Sequence, residues 1–177
     1  MAVQGTPSKR LMKLENRKKY IYSALIILII FILDRFTKLY VIKLAENNNG
    51  VDIFVTQYLN IYLIWNKGIA FGLLMFDQNN IYNAITYLIG IISSIVLILI
   101  IKTKDKRVYL YALVLGGAIG NLFDRFYYSA VPDFIDLHIN NLHWFIFNIA
   151  DIFISIGIIC LILVELIFNK YLENENK

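Results

Sequence analysis

The 177-residue chain contains a single cysteine, Cys160, and two histidines, His138 and His143. One cysteine excludes an intrachain disulfide and leaves the redox compartment unread. No serine or cysteine stands in a workable frame with a histidine base, so nucleophilic hydrolase chemistry lacks its residues. Ser93 and Ser94 lie on an uncharged apolar segment, and Ser155 stands one turn beyond Asp151 without a base. Charge is scarce as well: 17% of residues are charged against 59% hydrophobic. That balance is too apolar for a soluble domain of this size.

What the chain does have is apolar length. A spanning helix needs roughly 20 mostly apolar residues, and the segments 20–44, 81–101, 108–128 and 144–168 qualify. The first is no cleavable signal peptide, because its apolar part is too long and no small-residue cleavage site follows. It also contains Asp34, Arg35 and Lys38. Residues 1–8 have turn-like composition without a pattern and are read as a disordered lead or a non-native remnant.

Basic residues set the expected orientation. Lys9, Arg10, Lys13, Arg17, Lys18 and Lys19 precede the first segment, and Lys102, Lys104, Lys106 and Arg107 fill the loop between the second and third. Both termini are therefore predicted to be cytoplasmic, with loops 45–80 and 129–143 outside. This asymmetry accounts for the net charge of +4 without any nucleic-acid partner. Loop 45–80 is rich in β-branched and aromatic residues around a turn at Asn66, Gly68 and Gly72, which favours short strands over helix. A small sheet on the outer membrane surface is the expectation.

Ionisable residues inside such segments are costly and mark function by default. At about 1.5 Å per helical residue, Asp34, Asp124 and Asp151 all fall in the outer third of their segments. Asp151 is placed roughly 10 Å below the outer surface on this count. Asp34 and Lys38 form an i, i+4 pair with the acid first, the favourable order. It reads as a neutralised structural pair, with Lys38 snorkelling outward. Asp124 and Arg125 are neighbours and face different ways; Arg125 is expected to hold a lipid phosphate or Asp34. Ala112, Gly116 and Gly120 recur every fourth residue, a close-packing stripe. Asn121 with Asp124, and Asn148 with Asp151, repeat an i, i+3 spacing that lets each amide orient its acid.

Two chemistries fit these residues. His138 and His143 with Asp133 and Asp136 make a conceivable metal set, although loop histidines beside Trp144 read better as interfacial anchors. Paired carboxylates that share one proton can instead activate a water without any cofactor. Asp151 is one member, and residue physics leaves its partner open between Asp124 and Asp133. A transporter is disfavoured because the charges stop in the outer third and no internal repeat appears. A purely structural scaffold would leave the expense of so many buried charges without a return.

Five motifs in order carry a resemblance: D-R-F-T-K at 34–38, N-K-G-I-A-F-G at 66–72, G-G-A-I-G-N-L-F-D-R at 116–125, V-P-D-F-I-D at 131–136 and F-N-I-A-D at 147–151. Together they resemble the lipoprotein signal peptidases, the bacterial signal peptidase II family. The resemblance implies an aspartic endopeptidase of the bacterial inner membrane that cuts prolipoproteins before the diacylglyceryl-modified cysteine. It implies Asp133 and Asp151 as the catalytic pair, with Asn66, Gly68, Asn121, Asp124, Arg125 and Asn148 supporting substrate and site, and Asp34 with Lys38 as a structural pair. No metal or cofactor is implied; the partners are prolipoprotein substrates and membrane lipids, and the chain is expected to be a monomer. The predicted fold is mainly α, four transmembrane helices with a β cradle in loop 45–80. Residues 1–19 form a basic cytoplasmic segment, 20–168 one peptidase domain and 169–177 a cytoplasmic tail. Two positions depart from the family pattern: Ser129 and Ala130 stand where a glycine is usual, and Pro132 where valine is common.

Overall fold

The computed structural model describes residues 9–48, 50–68, 79–139 and 142–175. Residues 1–8, Gly72 and the side chains of His143 and Trp144 therefore lie outside what is described. The chain runs α1 (Lys9–Asn48), β1 (Asp52–Thr56), β2 (Leu59–Asn66), α2 (Asn79–Lys102), α3 (Arg107–Tyr128), β3 (Val131–Ile139), β4 (Leu142–Phe147) and α4 (Ile149–Glu175). Helix α3 is central and packs against α1, α2 and α4.

Small residues make that close packing feasible, as the glycine stripe of α3 predicts. A Cβ on Gly116 would lie 3.0 Å from Ile30 Cβ of α1, and one on Gly117 would strike the Ala150 carbonyl of α4. In return, Gly157 of α4 admits Val114 of α3, where a Cβ would approach its side chain to 2.6 Å. At the opposite end of the bundle from the sheet, Ile100, Val108, Ala112 and Leu115 form an apolar core. There the buried Lys19 ammonium donates to the Thr103 carbonyl at 2.9 Å, tying α1 to the end of α2.

Polarity is inverted relative to a soluble domain. Asp34, Lys38, Asp124, Asp133, Asp136 and Asn148 have no measurable exposure, while Ile29, Phe36, Ile91, Ile159 and Ile167 are each more than half exposed. Residues 82–102 and 149–168 are long and apolar enough to cross a membrane. An apolar exterior around a charged interior is what a lipid solvent selects.

The four strands form one antiparallel sheet in the order β1-β2-β3-β4. Its underside meets the end of α1, where Val41, Val51 and Phe134 form a second core. Two sequence expectations change here. The sheet is not confined to loop 45–80, because half its strands come from 131–147. Pro132, Asp133 and Asp136 are poor strand formers, and pairing with β2, from Asn66↔Val131 to Leu59↔Leu137, overrides them. Pro132 is tolerated because the β3–β4 pairing starts only at Ile135, so no ladder bond is asked of it on that side.

The second change is the start of the fourth helix. Residues 142–147 are strand, and α4 begins at Ile149, placing Asp151 in the first turn and not seven residues into a helix. A capping box explains the boundary. Asn148 Oδ1 accepts from the Asp151 N–H at 3.1 Å, and the Asp151 carboxylate accepts from the Asn148 N–H at 3.2 Å. At the other end of the hairpin connection, Ser129 caps α3 in the left-handed region, with φ 56°. This is the conformation glycine takes at low cost, so serine occupies the usual glycine position under mild strain.

Candidate active site

Three elements converge on Asp133. It lies on β3 opposite Ile64 of β2, and its carboxylate accepts from Asn66 Nδ2 at 2.8 Å and from Asn148 Nδ2 at 2.6 Å. Neither amide can turn over freely. Asn66 Oδ1 is held by the Gly68 N–H at 2.7 Å, in an Asx turn, and Asn148 Oδ1 by the helix cap. Both amides are thus fixed with their donors toward Asp133. Burial, and then the charge of Asp151, push the Asp133 carboxyl up to about 7 against the lowering effect of the two amides.

Asp151 is held from the opposite side. One oxygen accepts from the Asn148 N–H and the other from Asn121 Nδ2 at 2.8 Å. The i, i+3 expectation for Asn121 is therefore corrected: it serves Asp151 across the α3–α4 interface, not Asp124. Lys38 sets its orientation by donating to Asn121 Oδ1 at 2.8 Å.

Lys38 spends its other two protons on Asp34 at 2.9 Å and Asp124 at 2.6 Å. The pairing with Asp34 agrees with the sequence reading; the outward snorkelling does not, since Lys38 is fully buried. A neutral quartet forms because Arg35 also pairs with Asp34 and Asp124. Asp34 additionally accepts from the Ala150 N–H at 3.1 Å, anchoring the start of α4 on α1. Gly120 makes room: a Cβ there would lie 2.7 Å from Asp34 Oδ2. Buried charges survive in this setting only when paired in this way.

Arg125 does not go to Asp34. Its guanidinium donates to the Gly68 carbonyl, and its charge lies 5.2 Å from the centre of the Tyr82 ring. The Tyr82 hydroxyl returns to the Arg125 carbonyl at 3.0 Å. Arg125 Nε and Nη1 are buried and have no hydrogen-bond partner among the described residues. Arg125 borders a cavity of about 230 Å³ whose polar lining includes Asn66, Asn121, Asp133 and Asp151 as well. Its remaining wall is largely apolar, with Ile89 and Ile92 of α2, Val114 of α3 and Ile154 and Ile158 of α4.

The cavity thus brings both members of the expected aspartate pair together and excludes Asp124, which sits in the Lys38 quartet. Sequence reasoning missed Arg35 as a partner of Asp124, and missed Tyr82. The N-x-x-D capping signature at 148–151 was the signal that could have placed the helix start. His138 is elsewhere: its Nδ1 lies 3.6 Å from Asp136, and it is opposite His143 in the β3–β4 pairing.

The family model described as signal peptidase (SPase) II matches residues 26–168. The lipoprotein signal peptidase of Pelagibacter ubique is 55% identical over 160 residues, covering 90% of this chain and 96% of that protein. That of Francisella tularensis subsp. novicida is 42% identical over 158 residues, covering 87% and 96%. A solved bacterial membrane enzyme superposes with a TM-score of 0.67 at 30% identity, over 82% of this chain and 92% of that one.

Proposed function

Because this chain belongs to the signal peptidase II family, whose peptidases remove signal peptides from prolipoproteins, we propose that it does so as an aspartic endopeptidase using Asp133 and Asp151. The observation that supports this most is that two buried carboxylates on separate elements line one cavity, each with amides locked toward it. Two such groups share one proton, so one acts as base while its partner acts as acid.

We assign the base to Asp151, at the positive end of α4, and the acid to Asp133. Asp151 takes a proton from a water held between the two carboxyls as that water attacks the scissile carbonyl. Asp133 gives its proton to the carbonyl oxygen, yielding a neutral tetrahedral gem-diol. Collapse returns one hydroxyl proton to Asp133 while Asp151 delivers its proton to the leaving nitrogen, which restores the starting state. The free donors of Arg125 suit a substrate backbone carbonyl, and Gly68 is pinned by Asn66 and Arg125.

Under this reading all four helices span the bilayer, since the charges of α1 and α3 pair internally. Lys and Arg place both termini in the cytoplasm, and the sheet lies at the outer face as a cradle. Residues 20–168 form one peptidase domain, with 1–19 and 169–177 as cytoplasmic segments. The substrate is a diacylglyceryl-modified prolipoprotein cut before the modified cysteine, by a monomer in the inner membrane and without a cofactor. The test is reconstitution in vesicles with a diacylglyceryl-cysteine signal peptide. Cleavage before that cysteine, unaffected by strong chelators, is expected. Cleavage that chelation stops and zinc restores would overturn the dyad.

A further inference from the structure

Two cavities meet at Asp151. The one described above lies along Asp151, Ile154, Ser155 and Ile158 of α4. A second, of about 300 Å³, lies along Asp151, Ile152, Ser155, Ile156 and Ile159, and is closed by Leu137 of β3 with Phe145 and Phe147 of β4. On a helix these are adjacent stripes, and their common ridge is Asp151 with Ser155, one turn apart. The start of α4 is therefore a partition with an apolar slot on either side and the base at its crest.

Slots of this shape suit a ligand with two apolar arms diverging from one polar point. The substrate of the reaction proposed above is such a molecule: an apolar signal peptide ends at the scissile bond, and acyl chains begin on the very next residue. We infer that the slot between the β3–β4 hairpin and α4 receives an acyl chain of the diacylglyceryl cysteine, while the groove among α2, α3 and α4 receives the signal peptide. This inference rests on the proposed function.

The lining fits an acyl chain. Apart from Asp151 and Ser155 on the ridge, the slot offers only aliphatic and aromatic side chains. Ile156 and Ile159 are exposed on the apolar exterior, so a chain enters sideways from lipid. A chain leaving lipid gains no hydrophobic transfer energy. The slot therefore orients the cysteine against the dyad and acts on kcat/KM through positioning.

The experiment uses reconstituted full-length protein and one signal peptide carrying either palmitoyl or butyryl chains on the glyceryl cysteine. Wild type should prefer the palmitoyl peptide. Leu137→Trp and, independently, Ile156→Trp should reduce that preference about tenfold by filling the slot. A palmitoyl chain bearing a terminal diazirine, bound to Asp133→Asn protein, should label Leu137, Phe147 or the Ile152–Ile159 stripe. Phosphatidylglycerol with the same photoreactive chain should label it far less. Labelling at Ile89, Ile92 or Val114, equal labelling by the phospholipid, or an unchanged preference in both tryptophan variants would overturn the slot while leaving the peptidase reading intact. Failure of wild type to cut either peptide would overturn the peptidase reading and this inference with it.

Discussion

Replacing Asp133 by asparagine should change stability in opposite directions at low and high pH. The asparagine keeps one acceptor oxygen and substitutes an NH2 for the other. Asn66 and Asn148 both point donors at this site, and each is locked by a backbone N–H on its own oxygen. One of them must therefore face the new NH2, and a buried lost hydrogen bond costs about 1–3 kcal/mol. Against this stands the wild-type cost of ionising Asp133. A carboxyl held at about 7 in place of the ordinary 3.8 loses roughly 4 kcal/mol of folded-state stability when fully ionised.

The sign follows from proton binding. Between these two values the folded protein binds more protons than the unfolded chain, so wild-type stability falls as pH rises. The penalty is absent below the lower value and complete above the upper. Asp133→Asn should thus unfold about 1–3 kcal/mol more easily at about pH 3 and exceed wild type above pH 7, crossing at about pH 5. Thermal unfolding in detergent, followed by aromatic fluorescence across that range, reads this directly. Cleavage by the same variant should drop about a thousandfold or more at every pH, because asparagine cannot exchange the proton. The wild-type rate should be bell-shaped in pH, with limbs belonging to the pair. A stability difference independent of pH, or near-normal turnover by the variant, would refute the reasoning.

Asp124→Asn removes one of two acids from the quartet and leaves a buried excess of positive charge on Lys38 and Arg35. Its cost should be about 3 kcal/mol, seen as a lower yield of folded protein together with lower activity. Gly117→Ala would drive a methyl into the Ala150 carbonyl, whereas Gly90→Ala meets nothing within 4 Å. The first should abolish accumulation of folded protein, and the second should leave the unfolding temperature unchanged or slightly raised. Ser129→Gly should stabilise by about 0.5–1 kcal/mol by relieving the left-handed backbone, read as a higher unfolding temperature with normal cleavage. Reporter fusions after Lys104 and Lys177 should read cytoplasmic, and one near Asn48 external; an external reading at Lys104 would invert the topology.

Composition and hydropathy alone determined that this is a membrane chain of long apolar helices. Helices α2 and α3 end within about two residues of their predicted limits, because an α-helix satisfies its own backbone and needs no distant partner to define it. Depth counting also brought Asp34 and Asp124 to one level, and the quartet around Lys38 bears that out. What failed were features that depend on residues far apart in the chain. Strand β3 was read as loop because its identity comes from pairing with β2, about 70 positions away; β4, read in part as helix, is in turn held by β3. Only the folded chain decided that Arg125 reaches Gly68 and that Asn121 serves Asp151. Physics of the sequence could not choose Asp133 over Asp124; the motif resemblance did. The tertiary structure supports that proposed choice: Asp124 faces two cations that neutralise it, whereas Asp133 lines a cavity with another carboxylate, the arrangement a shared proton requires.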